Sequence, residues 1–235
     1  METPTRLVLF DIDGTLVTTE GRAAAALRKA MEQVLGVPIS SEGYSFSGKT
    51  DPRIVLELSE NAGLPRSLVR HRLDEVFSRY LEILEDHMPP GSAVALPGTR
   101  SLLDRLADHG GVTLALLTGN VREGAALKLR SAGFPELFPF GAFGSDHEDR
   151  NRLVPVAWER ALAATGKQFG PEETVVVGDA EADILCARAV GARVVAVATG
   201  WTPRERLAAL SPDALLDSLA TPEALGTILD AGSPA

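Results

Sequence analysis

Four short apolar runs constrain this chain more than any other feature: "RLVLFD" (6–11), "VTLALLTGN" (112–120), "TVVVGDA" (174–180) and "RVVAVATG" (193–200). None alternates apolar with polar residues. Each therefore reads as a strand buried on both faces, the habit of strands in a parallel sheet. Helical stretches separate them, at 99–110, 121–133, 154–166 and 181–191. Pro155 sits in the first turn of the third, and glycine closes or follows each of them. A weaker strand is expected near "PFGAFG" (139–144). The alternation of strand and helix from about residue 94 to 200 predicts an α/β fold, a doubly wound parallel sheet.

Residues 17–93 break that rhythm. The stretches 21–36, 51–63 and 66–87 are helical by periodicity, with no strong strand among them. This predicts a helical insertion. The expected division is an α/β core of residues 1–16 and 94–235 with an inserted α-helical unit of 17–93. The proline- and glycine-containing segment 88–98 is the expected return hinge. The tail from about 230 is expected to fray.

Composition narrows the function. The net charge of −9 argues against non-specific nucleic-acid or membrane binding. One cysteine, Cys186, cannot form an intramolecular disulfide, which is compatible with a reducing compartment. The first residues lack the basic-then-apolar pattern of a secretory signal, and no apolar run approaches the length of a membrane span. The expectation is a soluble cytoplasmic protein, monomer or homodimer.

The strand ends carry the chemistry. In an open parallel sheet, ligands bind beyond the carboxyl ends of the strands. The first run ends in "DIDGT", placing Asp11 and Asp13 one residue apart, with Gly14 allowing a sharp turn and Thr15 behind it. Extended backbone would put the two acids on the same side. The second run ends in Thr118, Gly119 and Asn120. The third ends in Asp179, with Asp183 four residues on. If these strands are neighbours, four carboxylates and a hydroxyl share one crevice. Such a cluster is unfavourable without a hard divalent cation, Mg²⁺ being the expected one. One carboxylate could attack phosphorus while the other moves a proton.

"DIDGT", "LLTGN" and "VVVGDAEAD" resemble motifs I, II and IV of the haloacid dehalogenase superfamily, and the helical insertion resembles its type-1 cap. The resemblance spans nearly the whole chain. It implies a Mg²⁺-dependent phosphatase acting on a small phosphomonoester through an aspartyl-phosphate, of phosphoglycolate phosphatase-like type. It implies Asp11 as nucleophile, Asp13 as acid/base and metal ligand through its backbone carbonyl, and Asp179 and Asp183 as further metal ligands. Thr118, Gly14, Thr15, Gly119 and Asn120 are the matching phosphate-site positions. The family's basic motif III residue is usually Lys followed by Pro-x-Pro. That signature is absent from "EDRNRLVP" (148–155), where Arg150 fits the place best and Arg152 is the alternative. In the insertion, Lys49 of "FSGKTD" is a substrate-binding candidate and Arg53 a weaker one. Other readings are a phosphomutase of the β-phosphoglucomutase type, a dehalogenase that would need neither Asp13 nor metal, and a catalytically silent phosphometabolite-binding regulator.

Overall fold

The computed structural model describes residues 5–134 and 137–230. The expected fraying tail beyond 230 lies outside the described residues. In chain order the elements are β1 (Arg6–Phe10), β2 (Val17–Thr18), α1 (Arg22–Leu35), α2 (Asp51–Asn61), α3 (Arg66–Arg70), α4 (Leu73–His87), β3 (Val94–Ala95), α5 (Thr99–Ala107) and β4 (Val112–Leu117). Then follow α6 (Arg122–Ser131), β5 (Gly141–Ala142), α7 (Leu153–Thr165), β6 (Thr174–Gly178), α8 (Glu181–Arg188), β7 (Arg193–Val197), α9 (Arg204–Ala209), β8 (Ala214–Leu216) and α10 (Ala224–Leu229).

Six strands form one parallel sheet in the order β5-β4-β1-β6-β7-β8. The expected doubly wound α/β architecture is present. All five residues of β1 are buried, because β1 is covered on both faces. Strand alternation divides its side chains: Leu7 and Leu9 join the cluster formed with Leu153, Val154 and Ile184, while Val8 and Phe10 join that of Leu102, Leu106 and Ile228. Burying each of these large side chains stabilises the fold by roughly 1.5–3 kcal/mol.

The helical segment packs in a third cluster, in which Leu27, Ala30 and Met31 of α1 meet Val76, Tyr80 and Leu84 of α4, and which Val121 and Leu127 at α6 join from the sheet side. Its connections to the sheet are short. Val17–Thr18 and Val94–Ala95 pair antiparallel as a two-stranded ribbon, carrying the chain out and back side by side.

Two details differ from expectation. The stretch 66–87 is two helices, α3 and α4, separated at His71 and Arg72, where the Arg72 N–H turns back to the Val69 carbonyl (2.9 Å). The apolar spacing of Val69, Leu73 and Val76 runs across the turn, so periodicity did not mark it. The edge strand β8 was also not foreseen: three residues paired on one side only leave little pattern to read. Among the described residues no helix is long and apolar enough to cross a membrane.

Candidate active site

β1 lies between β4 and β6, so the three polar strand ends open side by side. Asp11 follows β1 directly, and its N–H still donates to Val177 O (3.0 Å), holding it in register with β6. Asp179 follows β6, and Asp183 lies in the first turn of α8. Carboxylate oxygens of Asp11, Asp179 and Asp183 lie within 4.8 Å of one another, and all three residues are buried. Arg150 joins them. Its Nη2 lies 3.0 Å from Asp11 Oδ1 and 2.5 Å from Asp183 Oδ1, and donates to Leu117 O at 3.1 Å. Arg152, two residues on, is exposed.

Three carboxylates against one guanidinium leave the cluster negative. Burial, followed by repulsion from Asp11 and Asp183, pushes Asp179 well above the usual carboxylate range. Burial likewise raises Asp183 to about 6, although Arg150 and the Ala180 N–H oppose it. An all-oxygen set carrying surplus negative charge fits a hard divalent cation.

The carboxylate of Asp13 does not join this set. β1 ends at Phe10, so the alternation that would have placed Asp13 beside Asp11 stops before either acid. Asp13 instead accepts from Lys128 Nζ at both oxygens (2.8 and 2.7 Å) and from Asn120 Nδ2 (2.8 Å). The Asp13 carboxylate is therefore not among the oxygens grouped for a metal. Asp11 and Asp13 nevertheless line one cavity of about 500 Å³, together with Thr118, Gly119, Asn120, Arg150 and Lys49. Lys128 was not foreseen. It reads as an ordinary cation in the last turn of α6, yet it falls three and four residues after Ala125 and Gly124, on the buried face.

Two expected substrate contacts lie elsewhere. Thr15 is fully buried and its Oγ1 donates to Asp179 Oδ1 (2.9 Å), so it orients that acid and does not line the cavity. Gly14 has φ +87°, and a Cβ there would meet the Asp179 carboxylate at 2.5–2.8 Å. Both residues serve Asp179 through close packing. The Thr118 hydroxyl accepts from Asn120 Nδ2 (2.7 Å), tying the β4 loop to the Asp13–Lys128 pair. Lys49 lines the cavity but already pairs with Glu57 Oε2 (2.6 Å) and lies 3.9 Å above the Tyr44 ring. Arg53 lies outside the cavity lining and also pairs with Glu57 (2.6 Å).

The helical segment grips the β4 loop. The Asp51 N–H donates to Gly119 O (2.7 Å), and its Oδ2 accepts from the Val121 N–H (2.8 Å). Gly119 packs so closely on the Lys49 carbonyl that a Cβ would collide with it. Burial raises Asp51 to about 6, with Lys128 and the Val121 N–H pulling it down and Asp13 pushing it up. Its folded pKa exceeds its unfolded value, so ionisation costs stability as pH rises from about 4 through 6. Asp51→Asn should melt higher than wild type near pH 7.5, by about 1–3 kcal/mol, with the gap closing at about pH 4. Thermal denaturation at the two pH values checks this.

The sequence profile of haloacid dehalogenase-like hydrolases matches residues 5–191. A phosphoglycolate phosphatase of Pseudomonas fluorescens is 28% identical over 218 residues, covering 91% of this chain and 77% of that one. A bifunctional riboflavin kinase/FMN phosphatase of Arabidopsis thaliana is 27% identical over 213 residues, covering 90% of this chain and 53% of that protein. The crystal structure of CbbY from Rhodobacter sphaeroides in complex with phosphate superposes with a TM-score of 0.69 at 23% identity, over 95% of this chain and 99% of that one. With acids at adjoining strand ends, a buried arginine between two of them and a profile match over most of its length, this chain belongs to the haloacid dehalogenase-like hydrolases.

Proposed function

We propose that this protein is a phosphatase that hydrolyses a small phosphate monoester through an aspartyl-phosphate on Asp11, with Mg²⁺ as cofactor. The observation that carries the reading is the meeting of Asp11, Asp179, Asp183 and Arg150 beside a cavity that Asp11, Arg150 and Asp13 line. The phosphoglycolate phosphatase and FMN phosphatase activities named for the relatives support the same reaction class.

In the first step an Asp11 carboxylate oxygen attacks phosphorus, forming an O–P bond as the ester P–O bond breaks in line. Asp13 relays a proton to the departing alkoxide. In the second step water attacks the acyl-phosphate and Asp13 takes back a proton, releasing phosphate and restoring Asp11. Arg150 holds the Asp11 carboxylate in place and neutralises charge beside it. Thr118 and Asn120 supply hydroxyl and amide contacts on the same wall. Asp11, Asp179 and Asp183, with the Asp13 carbonyl, would hold Mg²⁺, which when bound offsets the negative charge of carboxylates and phosphate together.

Residues 17–93 act as a cap over this site, with residues 1–16 and 94–235 as the catalytic core. The packing of α1 on α4 and the β2–β3 ribbon support that division. The overall negative charge and the lone buried cysteine suit a cytoplasmic enzyme of small metabolites. Phosphate release over a few dozen phosphate esters tests the reading. At least one ester should be turned over with Mg²⁺ and not with chelator, releasing free phosphate and not an isomerised ester. Silence across the panel would overturn it.

A further inference from the structure

The cavity is larger and less polar than the reaction itself requires. Its volume of about 500 Å³ lies in the range that encloses whole drug-sized ligands. Its lining also includes Leu27 of α1, Ile54 of α2 and the rings of Tyr44 and Phe46, which meet edge to face at 5.1 Å. Trp201, more than half exposed, stands at the rim.

Each cation on the walls already has a carboxylate partner. Among the described residues the cations lining the cavity are Arg150, Lys128 and Lys49. Arg150 sits on Asp11 and Asp183, and Lys128 on both oxygens of Asp13. Lys49 sits on Glu57, which also accepts from Arg53 Nε (2.6 Å) and the Tyr44 hydroxyl (2.8 Å). Partial burial works against ionisation of Glu57, but the bonds from Lys49, Arg53 and Tyr44 outweigh it and bring its pKa down to about 2. Glu57 therefore stays charged and in contact with Lys49 at working pH, sharing its charge with Arg53 outside the lining. The third acid on the wall, Asp51, accepts from a backbone N–H. A second anionic group on the substrate, carried away from the phosphate, would leave water for walls where every lining cation already holds a carboxylate and would have to compete for it. That transfer is costly.

We propose that the alcohol portion of the substrate is electrically neutral and largely apolar, an aryl or alkyl phosphate monoester and not a carboxylated or doubly phosphorylated one. The inference rests on the phosphatase reading above and narrows it, and it sets the chain apart from the phosphoglycolate phosphatases among its relatives. The apolar lining takes the alcohol carbons, and the rings of Tyr44, Phe46 and Trp201 take a flat ring.

Two matched pairs test it with the Mg²⁺-loaded wild-type protein: phenyl phosphate against 4-carboxyphenyl phosphate, and ethyl phosphate against phosphoglycolate. In each pair kcat/KM should be at least roughly tenfold higher for the neutral ester, equivalent to about 1.4 kcal/mol. Equal rates, or preference for the carboxylated member, would overturn the inference while leaving the phosphatase reading intact. No phosphate release from any ester would overturn both. A variant separates charge matching from shape. Glu57→Gln releases Lys49, so the carboxylated members should gain about fivefold or more in kcat/KM while phenyl phosphate stays within about twofold. A parallel change in both members of a pair would count against the charge argument.

Discussion

Asp11→Asn should lower phosphate release by at least about 10⁴-fold while leaving the fold intact. An amide oxygen does not attack phosphorus usefully, and removal of a nucleophile typically costs losses of this order or more. The substitution is nearly isosteric, and the asparagine Oδ1 can still accept from Arg150, which lies 3.0 Å from the Asp11 carboxylate. It also removes one of three crowded negative charges, so the metal-free variant should melt no lower than wild type. Steady-state kinetics, a melting curve and intact-mass analysis after substrate addition check the three parts. No phosphorylated adduct should form. Near wild-type turnover would end the mechanism.

Arg150→Met should damage stability and activity together. Arg150 is almost fully buried and bonds Asp11, Asp183 and the Leu117 carbonyl. Its removal strands two buried carboxylates, and breaking such a pair costs about 3–5 kcal/mol. At roughly 2–4 °C per kcal/mol for a chain of this size, the melting point of the metal-free protein should fall by about 6–20 °C. Activity of the folded fraction should fall by about 10²–10³-fold, the usual cost of losing one preorganised charge partner. The same change at Arg152, which is exposed, should do neither. A small effect at Arg150 with a large one at Arg152 would reverse their roles.

The sequence was most legible where burial on two faces leaves continuous apolar runs. β1, β4, β6 and β7 are of that kind, and the acids at their ends follow from them. β8 was not, because a three-residue edge strand carries too little pattern. The turn at His71 and Arg72 was hidden by apolar spacing that continues across it. In the site, the meeting of Asp11, Asp179 and Asp183 depended on strand order, which spacing alone could suggest only conditionally. Lys128 was missed because a lysine in the last turn of a helix has an ordinary explanation in the helix dipole. Only the packing of α6 reveals that it faces Asp13. Thr15 and Gly14 were read as neighbours of phosphate. Both are instead spent on Asp179, a partner more than 160 residues away, which no local pattern reveals.

The grip of Asp51 on the β4 loop has a kinetic consequence. Its N–H and carboxylate hold Gly119 and Val121, on either side of Asn120, which in turn holds Asp13. Were the proposed cap to swing away to admit an ester, both bonds would have to break first, and the loop that steadies Asp13 would slacken with them. Admission and readiness for chemistry would then be one mechanical event.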